Sequence, residues 1–198
     1  MTPKQFRIQT LNAIDAAGLS RFPDDRYEVG AGVQNPHALL LRSAKLHDTP
    51  IPESVLAVAR AGAGTNNIPV AALTERGVPV FNTPGANANA VKELVLAGLF
   101  IASRNLIPAA RFAHTLQGDD AAIAAAVEAG KKRFVGFELP GRTLGIIGLG
   151  AIGVQVANAA LGLGLRVVGY DPAISVEHAW LLSSEVERAQ SIDEVFGW

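Results

Sequence analysis

The chain has 198 residues, 49% of them hydrophobic, and its 17 Lys and Arg against 18 Asp and Glu leave a formal net charge of −1. That length is one large domain or two small ones, and a near balance with no block of like charge argues against a nucleic-acid partner, which needs a basic stripe. The absence of cysteine excludes disulfides, thiolate metal sites and a thiol nucleophile.

The opening segment MTPKQFRIQT has no apolar run followed by a cleavage site, so no signal peptide is expected. The longest apolar run, 94–102, falls well short of the ~20 residues of a membrane helix. A cytoplasmic protein without a membrane partner is therefore expected. Short apolar runs then alternate with helical stretches. Strands are expected at Phe6 to Leu11, Tyr27 to Val29, Ala38 to Arg42, Val55 to Ala59 and Val78 to Phe81. The run through Leu39, Leu40 and Leu41 suits a strand covered on both faces. Between the last two strands, Pro69 opens and Gly77 closes a helical segment, the expected punctuation. Strand, helix and strand in alternation predict an α/β layer with a parallel sheet.

The texture changes at Asn82-Thr83-Pro84-Gly85, which reads as a turn. From Ala86 to Arg104, Val91, Leu94, Val95, Leu99 and Ala102 recur at helical spacing. A long helix after a complete small sheet predicts a hinge into a second domain. Residues 117–130 are Ala-rich and read as helix, with Lys131-Lys132-Arg133 as its solvated basic end.

Next comes a constellation with chemistry in it. Leu144 to Ile147 reads as a buried strand, Gly148-Leu149-Gly150-Ala151-Ile152-Gly153 follows at once, and Val154 to Leu161 continues as helix. Arg166 to Tyr170 reads as the next strand, with Asp171 at its end. Gly148 permits a tight turn, Gly150 lets backbone approach a pyrophosphate, and Gly153 lets helix pack on strand. The pyrophosphate would sit on the open N–H groups at the helix start, where the macrodipole favours an anion. Asp171 stands close to the ~20-residue spacing of the acid that binds the adenosine ribose. A carboxylate there repels a 2′-phosphate, which predicts NAD rather than NADP. A packing turn followed by a strand-end Asp-Pro is the plainer alternative, but strand, loop, helix, strand and acid all fall in order.

The histidines, His37, His47, His114 and His178, share no metal-ligand spacing, so no metal is expected. Arg60-Ala61-Gly62-Ala63-Gly64-Thr65 follows a predicted strand. Its small residues either leave backbone N–H groups open to an anion, with Arg42 and Arg60 as forks, or simply allow backbone to pack closely. The residues leave both readings open.

Leu41-Arg42-Ser43, Ala59 to Val70, Val80 to Leu94, the glycine loop and Tyr170-Asp171-Pro172 together resemble the D-isomer-specific 2-hydroxyacid dehydrogenases, and most closely the branch acting on 3-phosphoglycerate. The resemblance spans essentially the whole chain. It implies a flavodoxin-like parallel-sheet substrate lobe over 1–85, then an incomplete Rossmann NAD-binding lobe. That second part, 86–198, would hold the hinge helix, a dimerisation segment and two strands, at Leu144 and Arg166. Arg42, Arg60, Ala61 and Gly62 would bind the small anionic substrate, 3-phosphoglycerate. Ala63, Gly148, Gly150, Ala151, Ile152, Gly153 and Asp171 would bind NAD. A homodimer through 105–140 is expected, using Leu106, Ile107, Phe112, Phe134, Val135 and Phe137. The reaction implied is NAD-dependent oxidation of a D-2-hydroxy acid, as in serine biosynthesis. The family's catalytic Arg, Glu and His would lie past Trp198, so no catalytic residue is assigned here and the 198-residue chain alone is expected to be inactive. The alternative is a catalytically silent NAD-binding or oligomerising module.

Overall fold

The computed structural model describes residues 5–197. The first four residues, part of the segment read for a signal peptide, and Trp198 lie outside them. The chain divides into two compact units, with the boundary between Asn87 and Ala88.

In the first unit, β1 (Phe6–Leu11), β2 (Tyr27–Gly30), β3 (Ala38–Leu41), β4 (Ala57–Arg60) and β5 (Val80–Phe81) form one sheet in the order β2-β1-β3-β4-β5. Every pairing is parallel. This is the flavodoxin-like order that the family resemblance implies. A four-residue helix α1 (Ala16–Leu19), capped by Asp15, follows β1. Helix α2 (Val70–Glu75) lies between β4 and β5 and buries Leu73. It starts directly after Pro69 and ends before Gly77, whose φ of 69° lies in the left-handed region that stops a helix. Arg76 reinforces that end by donating to the carbonyls of Ile51 and Pro52. Leu39, Leu41, Leu46, Val55, Val58, Ile68, Leu73 and Val78 make the core. Strand β4 begins two residues later than expected, at Ala57, after a turn at Glu53 and Ser54 that the Val55 N–H closes on the Pro52 carbonyl.

The second unit opens with α3 (Ala88–Ser103), then α4 (Leu106–Ala113) and α5 (Asp120–Gly130). The basic cluster is the exposed end of α5, as expected, and it continues the helix as one 3₁₀ turn, Lys131–Phe134. Next come β6 (Thr143–Ile147), α6 (Ala151–Gly162), β7 (Arg166–Tyr170), α7 (Val176–Leu181), β8 (Glu187–Arg188) and α8 (Ile192–Phe196). The sheet order is β6-β7-β8, all parallel. The expectation of two strands here is corrected: β8 pairs Glu187 with Val168 and Arg188 with Gly169. Two exposed charged residues give no apolar signal, and this strand exists through backbone pairing and one ion pair, Arg166–Glu187 at 2.9 Å. The β7 edge is therefore covered, while β6 has one neighbour only. Helix α6 packs its small residues, Ala157 and Ala160, into a core with Leu139, Leu165 and Val167. Among the described residues no helix is long and apolar enough to cross a membrane.

Candidate functional site

Two loops at the carboxyl ends of the sheets hold the residues singled out above. In the first unit the parallel register sets Leu41 opposite Arg60, so Arg42 and the loop from Ala61 begin level with each other. Three asparagines and an arginine brace this end. Asn12, at φ 73°, accepts from the N–H groups of Ser43 and Ala44. Asn67, buried, donates from Nδ2 to the carbonyls of Arg42 and Ala44. Its Oδ1 has no partner among the described residues. Asn82 donates from Nδ2 to the Ala63 carbonyl at 2.6 Å.

The two arginines differ. Arg42 is exposed and its side chain has no partner among the described residues. Arg60 turns its guanidinium into the loop, with Nε donating to the Arg42 carbonyl at 3.0 Å and Nη1 to the Gly64 carbonyl and to Asn66 Oδ1. Sequence reasoning treated the pair as equal forks, because nothing in the local pattern shows where a guanidinium folds back.

In the second unit Ile147 pairs with Tyr170, which brings Asp171 beside the glycine loop. Gly148 has φ 95° and donates its N–H to the Tyr170 carbonyl at 2.8 Å. A Cβ on Gly153 would collide with the Gly148 carbonyl oxygen, whereas one on Gly150 would meet nothing within 4 Å. Gly150 is the N-cap of α6 and supplies no side-chain cap, so the N–H groups of Ala151 and Ile152 stay open, as first-turn donors do. Asp171 accepts from the Leu149 N–H through Oδ2 at 2.7 Å and from the Ala173 N–H through Oδ1 at 2.9 Å. Each carboxylate oxygen keeps a further lone pair. A cavity of about 250 Å³ opens beside it, lined by Leu149, Asp171, Ile174, Val186 and Arg188 among others.

The histidines take four separate places. Nδ1 of His37 lies 3.0 Å from the Arg7 N–H, which donates to it before the start of β3. His47 is bonded to the Asn66 carbonyl, His114 caps the end of α4 and His178 lies in α7. Among the described residues no group of three or more His, Asp or Glu is placed to hold a metal ion.

Residues 9–191 match the family model described as "D-isomer specific 2-hydroxyacid dehydrogenase, catalytic domain". The chain belongs to this 2-hydroxyacid dehydrogenase family. Among curated members, it is 41% identical over 143 residues to a D-3-phosphoglycerate dehydrogenase of Methanocaldococcus jannaschii, covering 72% of this chain and 25% of that protein. It is 39% identical over 168 residues to one of Mycobacterium bovis, covering 82% and 29%. The chain thus spans little more than a quarter of the length of these relatives. Among solved members, the apo D-mandelate dehydrogenase of Rhodotorula graminis superposes with a TM-score of 0.72 at 26% identity, covering 97% of this chain and 63% of that one. The NAD+-bound 3-phosphoglycerate dehydrogenase of Entamoeba histolytica superposes at 0.64 and 23% identity, covering 98% and 60%.

Proposed function

We propose that the chain supplies the substrate-binding and NAD-binding parts of an NAD-dependent D-2-hydroxyacid dehydrogenase, with 3-phospho-D-glycerate oxidised to 3-phosphohydroxypyruvate. The observation that carries this reading is the pairing of Asp171 with the glycine loop at the end of two level parallel strands. The residues fit a dinucleotide. Gly150 leaves open space where a pyrophosphate would lie, the Ala151 and Ile152 N–H groups face it at the start of α6, and Asp171 keeps acceptors for a ribose diol. When bound, NAD supplies the hydride acceptor. The acceptor-only carboxylate repels a 2′-phosphate, which favours NAD over NADP. The curated relatives named as 3-phosphoglycerate dehydrogenases support the substrate.

In this reading residues 1–85 form the substrate lobe and 86–198 the cofactor part. Arg42 stands free as the phosphate or carboxylate fork, and the loop from Ala61 through Gly62 to Ala63 takes the substrate carboxylate, with its open N–H groups beginning at Ala63. Arg60 contributes chiefly by shaping the loop, with Nη2 left to reach a ligand. A homodimer through 105–140 belongs to the same proposal. Phe112 and Phe134 already pack on each other at 5.3 Å, with Arg133 over Phe112. Leu106, Ile107, Val135 and Phe137 remain exposed, and all but Ile107 line a cavity of about 520 Å³. Covering them removes apolar surface from water at ~25 cal/mol per Å², and an isologous contact does so twice. A step of serine synthesis would place the protein in the cytoplasm.

Calorimetric titration of the chain with NAD, NADP and 3-phosphoglycerate tests the reading. NAD is expected to bind at least about 10-fold more tightly than NADP, a difference of ~1.4 kcal/mol, and 3-phosphoglycerate is expected to bind. Equal affinity for the two dinucleotides would refute it. Sedimentation that shows a clean monomer at micromolar concentration would remove the dimer.

A further inference from the structure

Three successive carbonyls of the loop after β4 are taken. Gly62 O accepts from the Thr83 N–H at 3.0 Å, Ala63 O from Asn82 Nδ2 at 2.6 Å, and Gly64 O from Arg60 Nη1. The N–H groups behave oppositely. Those of Ala61 and Gly62 bond to the carbonyls of Leu41 and Arg60. Those of Ala63, Gly64 and Thr65 have no acceptor among the described residues. Three successive carbonyls are anchored and three successive donors are open. Successive open N–H groups make a concavity for an oxyanion, and such a concavity works only if the intervening carbonyls cannot swing in, since a carbonyl oxygen repels an anion.

Two side chains prevent that swing. Arg60 belongs to the strand that feeds the loop. Asn82 comes from the turn after β5, a different element, and its amide orientation is fixed because only the NH₂ can face a carbonyl oxygen. We propose that Asn82 is a positioning residue for the substrate carboxylate. By holding the Ala63 carbonyl, it keeps the N–H groups of Ala63, Gly64 and Thr65 turned toward the oxyanion, without touching the substrate itself. This inference rests on the function proposed above, and it gives a role at the site to a residue that the sequence analysis reads only as part of a turn.

The test follows the backbone amide resonances of Ala63, Gly64 and Thr65 by NMR. The 198-residue chain is titrated with 3-phosphoglycerate and, separately, with glycerol 3-phosphate, which has the phosphate but no carboxylate. In the unmutated chain 3-phosphoglycerate should move all three resonances, and glycerol 3-phosphate should leave them in place. Asn82→Ala and the isosteric Asn82→Asp, which turns a donor into an acceptor, should each weaken 3-phosphoglycerate about 10-fold. Both should leave glycerol 3-phosphate affinity and the unfolding temperature unchanged, and Asn82→Gln should recover part of the loss. If 3-phosphoglycerate binds with those resonances unmoved, or binds Asn82→Ala as tightly as the unmutated chain, the role of Asn82 is overturned and the functional reading stands. Unfolding of both Ala and Asp variants would also overturn it, by making Asn82 structural. If the unmutated chain binds neither ligand, the functional reading falls and takes this proposal with it.

Discussion

The two candidate loops end parallel strands in the same way but are shaped by opposite means. The loop after β4 is held by side chains: Arg60, Asn67 and Asn82 bind its carbonyls or its neighbours'. The loop after β6 is held by the lack of side chains. Gly148 takes a left-handed φ and Gly153 lets α6 close on the strand, with Asp171 as the one side chain that fastens it. An anion site can thus be built by pinning carbonyls or by clearing space. The two designs should fail differently under substitution.

The largest expected effect concerns turnover. Oxidising a 2-hydroxy acid needs a base for the hydroxyl proton, a contribution of ~10²–10⁴-fold, and the four histidines are placed elsewhere, His37 with the Arg7 N–H, His47 with the Asn66 carbonyl, His114 at the end of α4 and His178 in α7. The 198-residue chain is expected to form no NADH from NAD and 3-phosphoglycerate. Activity above background that follows the protein through gel filtration would show that another group serves as base.

Within the glycine loop, position should decide the kind of damage. Gly153→Val collides with the Gly148 carbonyl, and should abolish measurable NAD binding, a loss of roughly 100-fold or more, or ~2.7 kcal/mol, together with a lower unfolding temperature. Gly150→Ala meets no protein atom, so it should weaken NAD while leaving the unfolding temperature alone. If calorimetry and thermal unfolding show both variants losing stability alike, the distinction between packing glycine and ligand glycine is gone.

In the first unit the comparable break lies in the core beneath the loop. Leu41 is fully buried between the strands, and Leu41→Ala should cost ~2–5 kcal/mol, read by chemical denaturation. A cost under ~1 kcal/mol would mean the core relaxes around the cavity.

The smallest effect is expected at Asp171. Asp171→Ala should lower NAD affinity about 10-fold, or ~1.4 kcal/mol, and narrow the preference over NADP. Competitive titration of the two dinucleotides measures the ratio. An unchanged ratio would leave the carboxylate with the loop alone.

Much of this architecture is legible in the sequence because its signals are local. Near-continuous apolar strands, Pro69 before α2, Gly77 after it and the ordered glycine loop all act within a few residues of themselves. What was not legible depends on distant partners. Strand β8 is two charged residues that pair only because β7 offers a free edge. The fold-back of Arg60, the reach of Asn82 to Ala63 and the bond from Leu149 to Asp171 span between a few and some twenty residues. No periodicity records them. The apolar spacing predicts a helix from Ala86, yet α3 starts at Ala88, because Thr83 and Ala86 are tied in a turn.

The bond from the Leu149 N–H to Asp171 carries an evolutionary consequence. If Asp171 turns away a 2′-phosphate as proposed, a lineage drifting toward a phosphorylated dinucleotide would have to discard that carboxylate. The same substitution strips the loop of the acceptor that fastens it. Intermediates would then bind either dinucleotide poorly, unless a second change had already supplied an acceptor for that N–H. Cofactor choice in such a chain is guarded by the need for two coordinated changes, and descendants that made the switch should show the second acceptor in place.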